Sequence, residues 1–141
     1  MESLAFLMQG FGTALDPMNL AFAAIGVLLG TAVGVLPGIG ATATIAMLLP
    51  ITFALDPTAA FIMFAGVYFG GLFGDSTAGI LLNTPGQSSA IASTFEGHRM
   101  ARNGRAAVAL ATAAIGAFIG GLISTTIVVF FSPVLVRMAT Q

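Results

Sequence analysis

Apolar residues fill this chain in long runs, and short polar or Pro/Gly stretches separate them, so run lengths predict the architecture. Segments 18–36 and 106–131 approach or exceed the roughly 20 residues that cross a bilayer as a helix. Segments 41–55 and 58–73 are shorter. Asp16-Pro17 and Asp56-Pro57 each put a capping side chain before a proline at the first helical position, which predicts two helix starts. Residues 3–15 group Leu4, Phe6, Leu7, Met8 and Phe11 loosely and suit a short helix lying at the membrane interface. Within segment 18–36, Gly26, Gly30 and Gly34 recur at every fourth position, a spacing that lets another helix pack closely.

Two interruptions carry polar backbone into apolar surroundings. Leu36-Pro37-Gly38-Ile39-Gly40 reads either as a turn between two spans or as a break inside one. The segment after it, 41–55, holds Thr42, Thr44, Pro50 and Thr52, and a shallow or re-entrant course suits it. In residues 75–95, two halves of about ten residues flank Pro85-Gly86, each too short to span. A re-entrant helical hairpin is the expectation: one helix stops near Asn83, because Pro85 has no N–H and Gly86 tolerates unusual conformations, and another starts at Gln87. Asp75, followed by Ser76 and Thr77, is expected to cap a half-helix at the interface; the alternative is an intramembrane cation ligand or proton relay. Residues 96–105 form the one strongly charged stretch, expected to be a cytoplasmic loop by the positive-inside rule. Counting spans back from it places the N-terminus outside if 41–55 crosses and inside if it is re-entrant.

Composition agrees with a bilayer. Hydrophobic residues make up 57% of the 141 positions, charged ones only 6%, and the mean hydropathy is +1.05. The fold class is therefore all-α: a polytopic membrane protein with broken helices and a re-entrant hairpin. With no cysteine, disulfide and thiolate chemistry are excluded. A net charge of −1 without a basic run gives no reason to expect a nucleic-acid partner. Residues 1–15 lack Lys and Arg, so no cleavable signal peptide is expected.

Broken helices expose N–H groups at one end and carbonyls at the other, and in hydrocarbon these need partners. Half-helix N-termini attract carboxylates. Gly38, Gly40 and Thr42 offer one such start; Pro85, Gly86, Ser88 and Ser89 offer a second. The Asn83 amide oxygen and the Thr84 hydroxyl, with Asp75 as a possible third ligand, are hard oxygen donors suited to Na⁺. The alternative is a bare turn whose residues only satisfy turn geometry. His98 is expected at a solvated or headgroup position, and Arg99, Arg102 and Arg105 as topology anchors. Gly34 to Gly40 lacks the Gly-Lys-Ser/Thr ending of a phosphate loop. No nucleophile, base and orienter set is visible, so an enzyme is the class least supported.

Gly34-Val-Leu-Pro-Gly-Ile-Gly40, Leu49-Pro50, Tyr68-Phe-Gly-Gly71, Ile80-Leu-Leu-Asn-Thr-Pro-Gly86, Glu96-Gly-His-Arg-Met-Ala101 and Asn103-Gly-Arg105 together resemble the large membrane subunit of tripartite tricarboxylate transporters, in its N-terminal portion. The resemblance implies a multi-pass protein of the bacterial inner membrane. It implies secondary transport of tricarboxylates or related organic carboxylates, coupled to Na⁺ or H⁺, with no other cofactor. The implied partners are a periplasmic solute-binding protein and a small membrane subunit. The chain departs from the family pattern at Asp75, where a glycine or small residue is usual, and at Gln87. The alternative function is a structural membrane scaffold that binds no solute.

Overall fold

The computed structural model describes residues 2–139. Among them are six α-helices and no strand: α1 (Glu2–Ala14), α2 (Pro17–Gly34), α3 (Ala41–Thr52), α4 (Pro57–Leu82), α5 (Ser88–Met100) and α6 (Ala106–Ala139). The two Asp-Pro pairs start helices as expected. Asp16 Oδ1 accepts from the Met18 N–H at 3.0 Å, and Asp56 Oδ2 from the Thr58 N–H at 3.0 Å. Each satisfies one of the donors a helix start leaves open.

The pair α2–α4 is the spine. A methyl group added to Gly26, Gly30 or Gly34 would stand 2.2, 2.2 or 2.3 Å from the carbonyl oxygen of Met63, Val67 or Gly71. From the other side, one on Gly66, Gly70 or Gly74 would stand 2.7, 2.4 or 2.4 Å from that of Ala23, Val27 or Thr31. Only hydrogen fits at these positions, so two backbones meet with no side chain between them. Apolar lipid tails give no hydrophobic drive for helix pairing, and close backbone packing supplies the attraction instead. The contacts rise in step along both helices, so α2 and α4 run parallel.

A parallel pair requires the chain to run back between its two helices, and α3 makes that return. Ala41 packs on Gly71, and at the other end Thr52 and Phe53 share a hollow with Pro57, Ala60 and Phe61. The Leu36–Gly40 interruption is thus a turn between helices of opposite direction.

The structure differs from the sequence reading at the hairpin. Segment 58–73 and the first half of 75–95 are one continuous helix, α4, whose 26 residues rise about 39 Å. Gly74 and Asp75 do not interrupt it, because the glycines face α2 and Asp75 finds partners elsewhere. The break falls at Asn83–Gln87. Asn83 takes a left-handed conformation, φ 58° and ψ 29°, and its N–H reaches the Gly79 carbonyl at 3.1 Å, the helix-ending arrangement that asparagine tolerates.

The chain then doubles back beside α4 as far as Asp75 before α5 begins. From there α5 passes Gly79 with Ala90 and Thr94, and Ile80 with Gly97, so it advances in the same sense as α4. The two halves of 75–95 are therefore not an opposed hairpin.

Residues 96–105 are not an open loop either. They comprise the end of α5 and one wide π-type turn, Ala101–Arg105, kinked at Asn103 and at Gly104 with φ 76°. Beyond it α6 is continuous with segment 106–131. The groove between α1 (Leu7, Phe11), α4 (Phe69, Phe73) and α6 (Phe118, Phe130) is apolar and encloses about 730 Å³. Three helical stretches, Pro17–Gly34, Pro57–Leu82 and Ser88–Ser132, are long and apolar enough to cross a membrane.

Candidate functional site

The two Pro-Gly interruptions lie far apart in sequence and side by side in space. A methyl on Gly86 would lie 3.4 Å from the Gly38 nitrogen, and one on Gly40 would lie 3.9 Å from the Gln87 side-chain amide carbon. α3 leaves this point in one direction and α5 in the other, so two helix N-termini begin next to each other. Neither start has a local side-chain cap. The N–H groups of Ala41, Thr42, Ser88 and Ser89 find no protein acceptor among the described residues. Two N-termini without a local cap in one place add their partial positive charges, each equivalent to about half an elementary charge.

Asp75 sits beneath this junction, only 2% exposed. Its Oδ1 accepts from the Gly86 N–H at 2.6 Å and its Oδ2 from the Gln87 N–H at 3.0 Å. The carboxylate is a cap, as the sequence reading favours, but a long-range one: it sits in the middle of α4 and ties down residues eleven and twelve positions later. The setting differs from the expected half-helix start, since Asp75 lies inside the continuous helix Pro57–Leu82. Charge-assisted bonds of this kind are about twice as strong as neutral ones.

His98 provides the reciprocal contact. Its Nδ1 lies 3.0 Å from the Ile80 carbonyl oxygen, which can only accept, so Nδ1 carries a proton and donates. That carbonyl belongs to the last turn of α4 and has no helical partner. His98 is half-buried, not solvated, and it caps the helix end from the neighbouring α5. A pointer to this existed in the sequence: Gly97, whose missing side chain lets Ile80 approach (2.7 Å to its Cγ1).

The other candidates divide into two groups. Gly38, Thr42, Gly86, Ser88 and Ser89 are exposed around the junction, with Gly40 half-buried. Asn83 and half-buried Pro85 line a separate hollow of about 430 Å³ with Thr94, His98, Arg99 and Arg102. Thr84 is exposed. Asp75 does not line the hollow that Asn83 lines, and both its oxygens are engaged, so these three residues do not come together as a ready Na⁺ cage. Among the described residues no cluster of three His, Cys, Asp or Glu side chains is present.

Residues 20–141 match the model of the Tripartite tricarboxylate transporter TctA family. An uncharacterized 52.8 kDa protein in the TAR-I ttuC' 3'region of Agrobacterium vitis is 51% identical over all 141 residues. The chain spans 28% of that relative's length. No solved structure matches. With a family model covering residues 20–141 and a relative 51% identical over all 141 residues of this chain, together with an all-helical apolar architecture, the chain belongs to the tripartite tricarboxylate transporter TctA family.

Proposed function

We propose that this chain forms part of the membrane component of a secondary transporter that moves tricarboxylates or related organic carboxylates across the bacterial inner membrane. The observation that carries the reading is the meeting of the α3 and α5 N-termini at Gly38–Thr42 and Gly86–Ser89. A polycarboxylate needs positive potential without a cation cluster that would hold it too tightly, and convergent helix N-termini supply it. Na⁺ or H⁺ is the coupling ion in this reading. A periplasmic solute-binding protein delivers the solute, and a small membrane subunit completes the complex. With Arg99, Arg102 and Arg105 on the cytoplasmic side, the parallel starts of α2 and α4, and α1 before them, lie on the periplasmic side. Irregular backbone at membrane depth is tolerated where it lines a cavity, and the Gly86–Gln87 part of the break, beside buried Asp75, is assigned that place.

The experiment uses the complete transporter with cysteine at Thr42 or at Ser88. Citrate is expected to slow alkylation of both by a polar thiol reagent, while leaving a cysteine at Phe118 unaffected. Unchanged rates at both sites across a panel of di- and tricarboxylates would favour the scaffold reading. One feature speaks for a packing role as well: Gly116 and Gly120 on α6 face open space, with no atom within 4 Å of an added methyl.

A further inference from the structure

The junction already holds a carboxylate, and it belongs to the protein. Gly86 and Gln87 present their N–H groups to Asp75 at 2.6 and 3.0 Å, at the point where the carboxylate reading places a solute. We propose that Asp75 is an internal competitor: it occupies the N–H groups a solute carboxylate needs, and the solute enters as Asp75 takes up a proton and lets go. The inference rests on the carboxylate reading above and adds to it the coupled ion and the residue that binds it.

One pair of N–H donors cannot serve two negative groups at once, because a second carboxylate would give up hydration there without gaining the donors that Asp75 already holds. Adding one proton to the Asp75 carboxylate removes its charge and turns one oxygen into a donor, so it no longer accepts from both Gly86 and Gln87. The freed N–H groups join those of Ser88 and Ser89, which have no protein acceptor among the described residues. When the solute leaves, Asp75 gives the proton back to water and closes on the N–H groups again. One proton therefore travels per solute carboxylate captured.

Among the described residues Asp75 has no other ionisable group facing it to supply or take this charge. Neither α2 nor α3, nor either Pro-Gly turn, carries an acidic or basic residue. On α4 the other titratable group is Tyr68, two turns away and exposed. On α5, Glu96, His98 and Arg99 stand at the far end, and His98 is engaged with Ile80. Proton exchange therefore runs between Asp75 and water admitted through the junction.

Calorimetry on the purified complete subunit tests this, with citrate titrated at mildly alkaline pH, where citrate is fully ionised, in buffers of different ionisation heat. The native protein should take up close to one proton per citrate bound. Asp75→Asn keeps the shape and abolishes the charge; it should take up none and bind citrate about fivefold or more tightly. Absence of proton uptake by the native protein overturns the proposal without any variant, as does weaker citrate binding by a folded Asp75→Asn. If citrate fails to bind the native protein, the carboxylate reading falls, and amide exchange judges the lock separately. Slow exchange at Gly86 and Gln87 in the native protein with fast exchange in Asp75→Asn retains the lock; equal rates remove it.

Discussion

Replacing Gly30 with alanine tests the spine on which both interruptions hang. The added methyl would lie 2.2 Å from the Val67 carbonyl oxygen and 2.8 Å from the Val67 Cα. Val67 is fully buried, and the contact is backbone, so no rotamer change relieves it. Restoring a carbon–oxygen separation of about 3.3 Å from 2.2 Å requires the helices to part by about 1 Å. A gap of that size forfeits roughly a quarter to a half of the dispersion energy of each contact it opens. It opens them along the whole glycine seam, from Gly26 to Gly34 on one side and from Gly66 to Gly74 on the other. Overpacking costs about 1–3 kcal/mol, and the higher helix propensity of alanine returns up to about 1 kcal/mol. The expected net loss is about 2 kcal/mol. Gly116→Ala, with no atom within 4 Å, should be neutral or slightly stabilising. The assay is dodecyl sulfate-induced unfolding of the full-length protein in mixed micelles, followed by loss of helical circular dichroism. Identical unfolding of the two variants would refute the backbone-contact argument.

Two further expectations concern the ends of α4. Asn83 holds a left-handed φ of 58°, so Asn83→Gly should leave stability within a few tenths of a kcal/mol or raise it, whereas Asn83→Val should cost about 1–2 kcal/mol; equal effects in the same unfolding assay would contradict the cap. His98→Ala should cost about 1 kcal/mol through the orphaned Ile80 carbonyl, and His98→Asn, whose amide nitrogen sits where Nδ1 sits, should recover most of it. Equal losses in the two His98 variants would show that the ring only fills space.

Local signals were legible in the sequence, and distant partners were not. The Asp-Pro starts and the stop near Asn83 appear because a cap and its helix lie within a few residues. Asp75 reads as one more local starter for the same reason, since nothing in the sequence announces partners eleven and twelve residues away. The spacing of Gly26, Gly30 and Gly34 indicated a close-packed face without naming its mate. The mate was visible, however, as the same four-residue spacing at Gly66, Gly70 and Gly74. The charged stretch 96–105 reads as a loop because charge suggests water. Its backbone nonetheless stays helical through most of its length, since a helix keeps its own backbone hydrogen bonds while charged side chains such as Arg99, Arg102 and Arg105 reach outward. Of the candidate site, the two Pro-Gly starts were readable separately. Their adjacency was not, because it depends on α3 returning along α4.

The central claim is that the starts of α3 and α5 share one site, and proximity is its most direct measure. A methyl on Gly40 would lie 3.9 Å from the Gln87 side-chain carbon. Cysteines at positions 40 and 87 of the full-length protein should therefore be joined rapidly by a short bifunctional thiol reagent, with citrate slowing the reaction. A chain cleaved between residues 53 and 56 should then stay in one piece. Separation of the two fragments, in a protein whose single cysteines both react, would contradict the account.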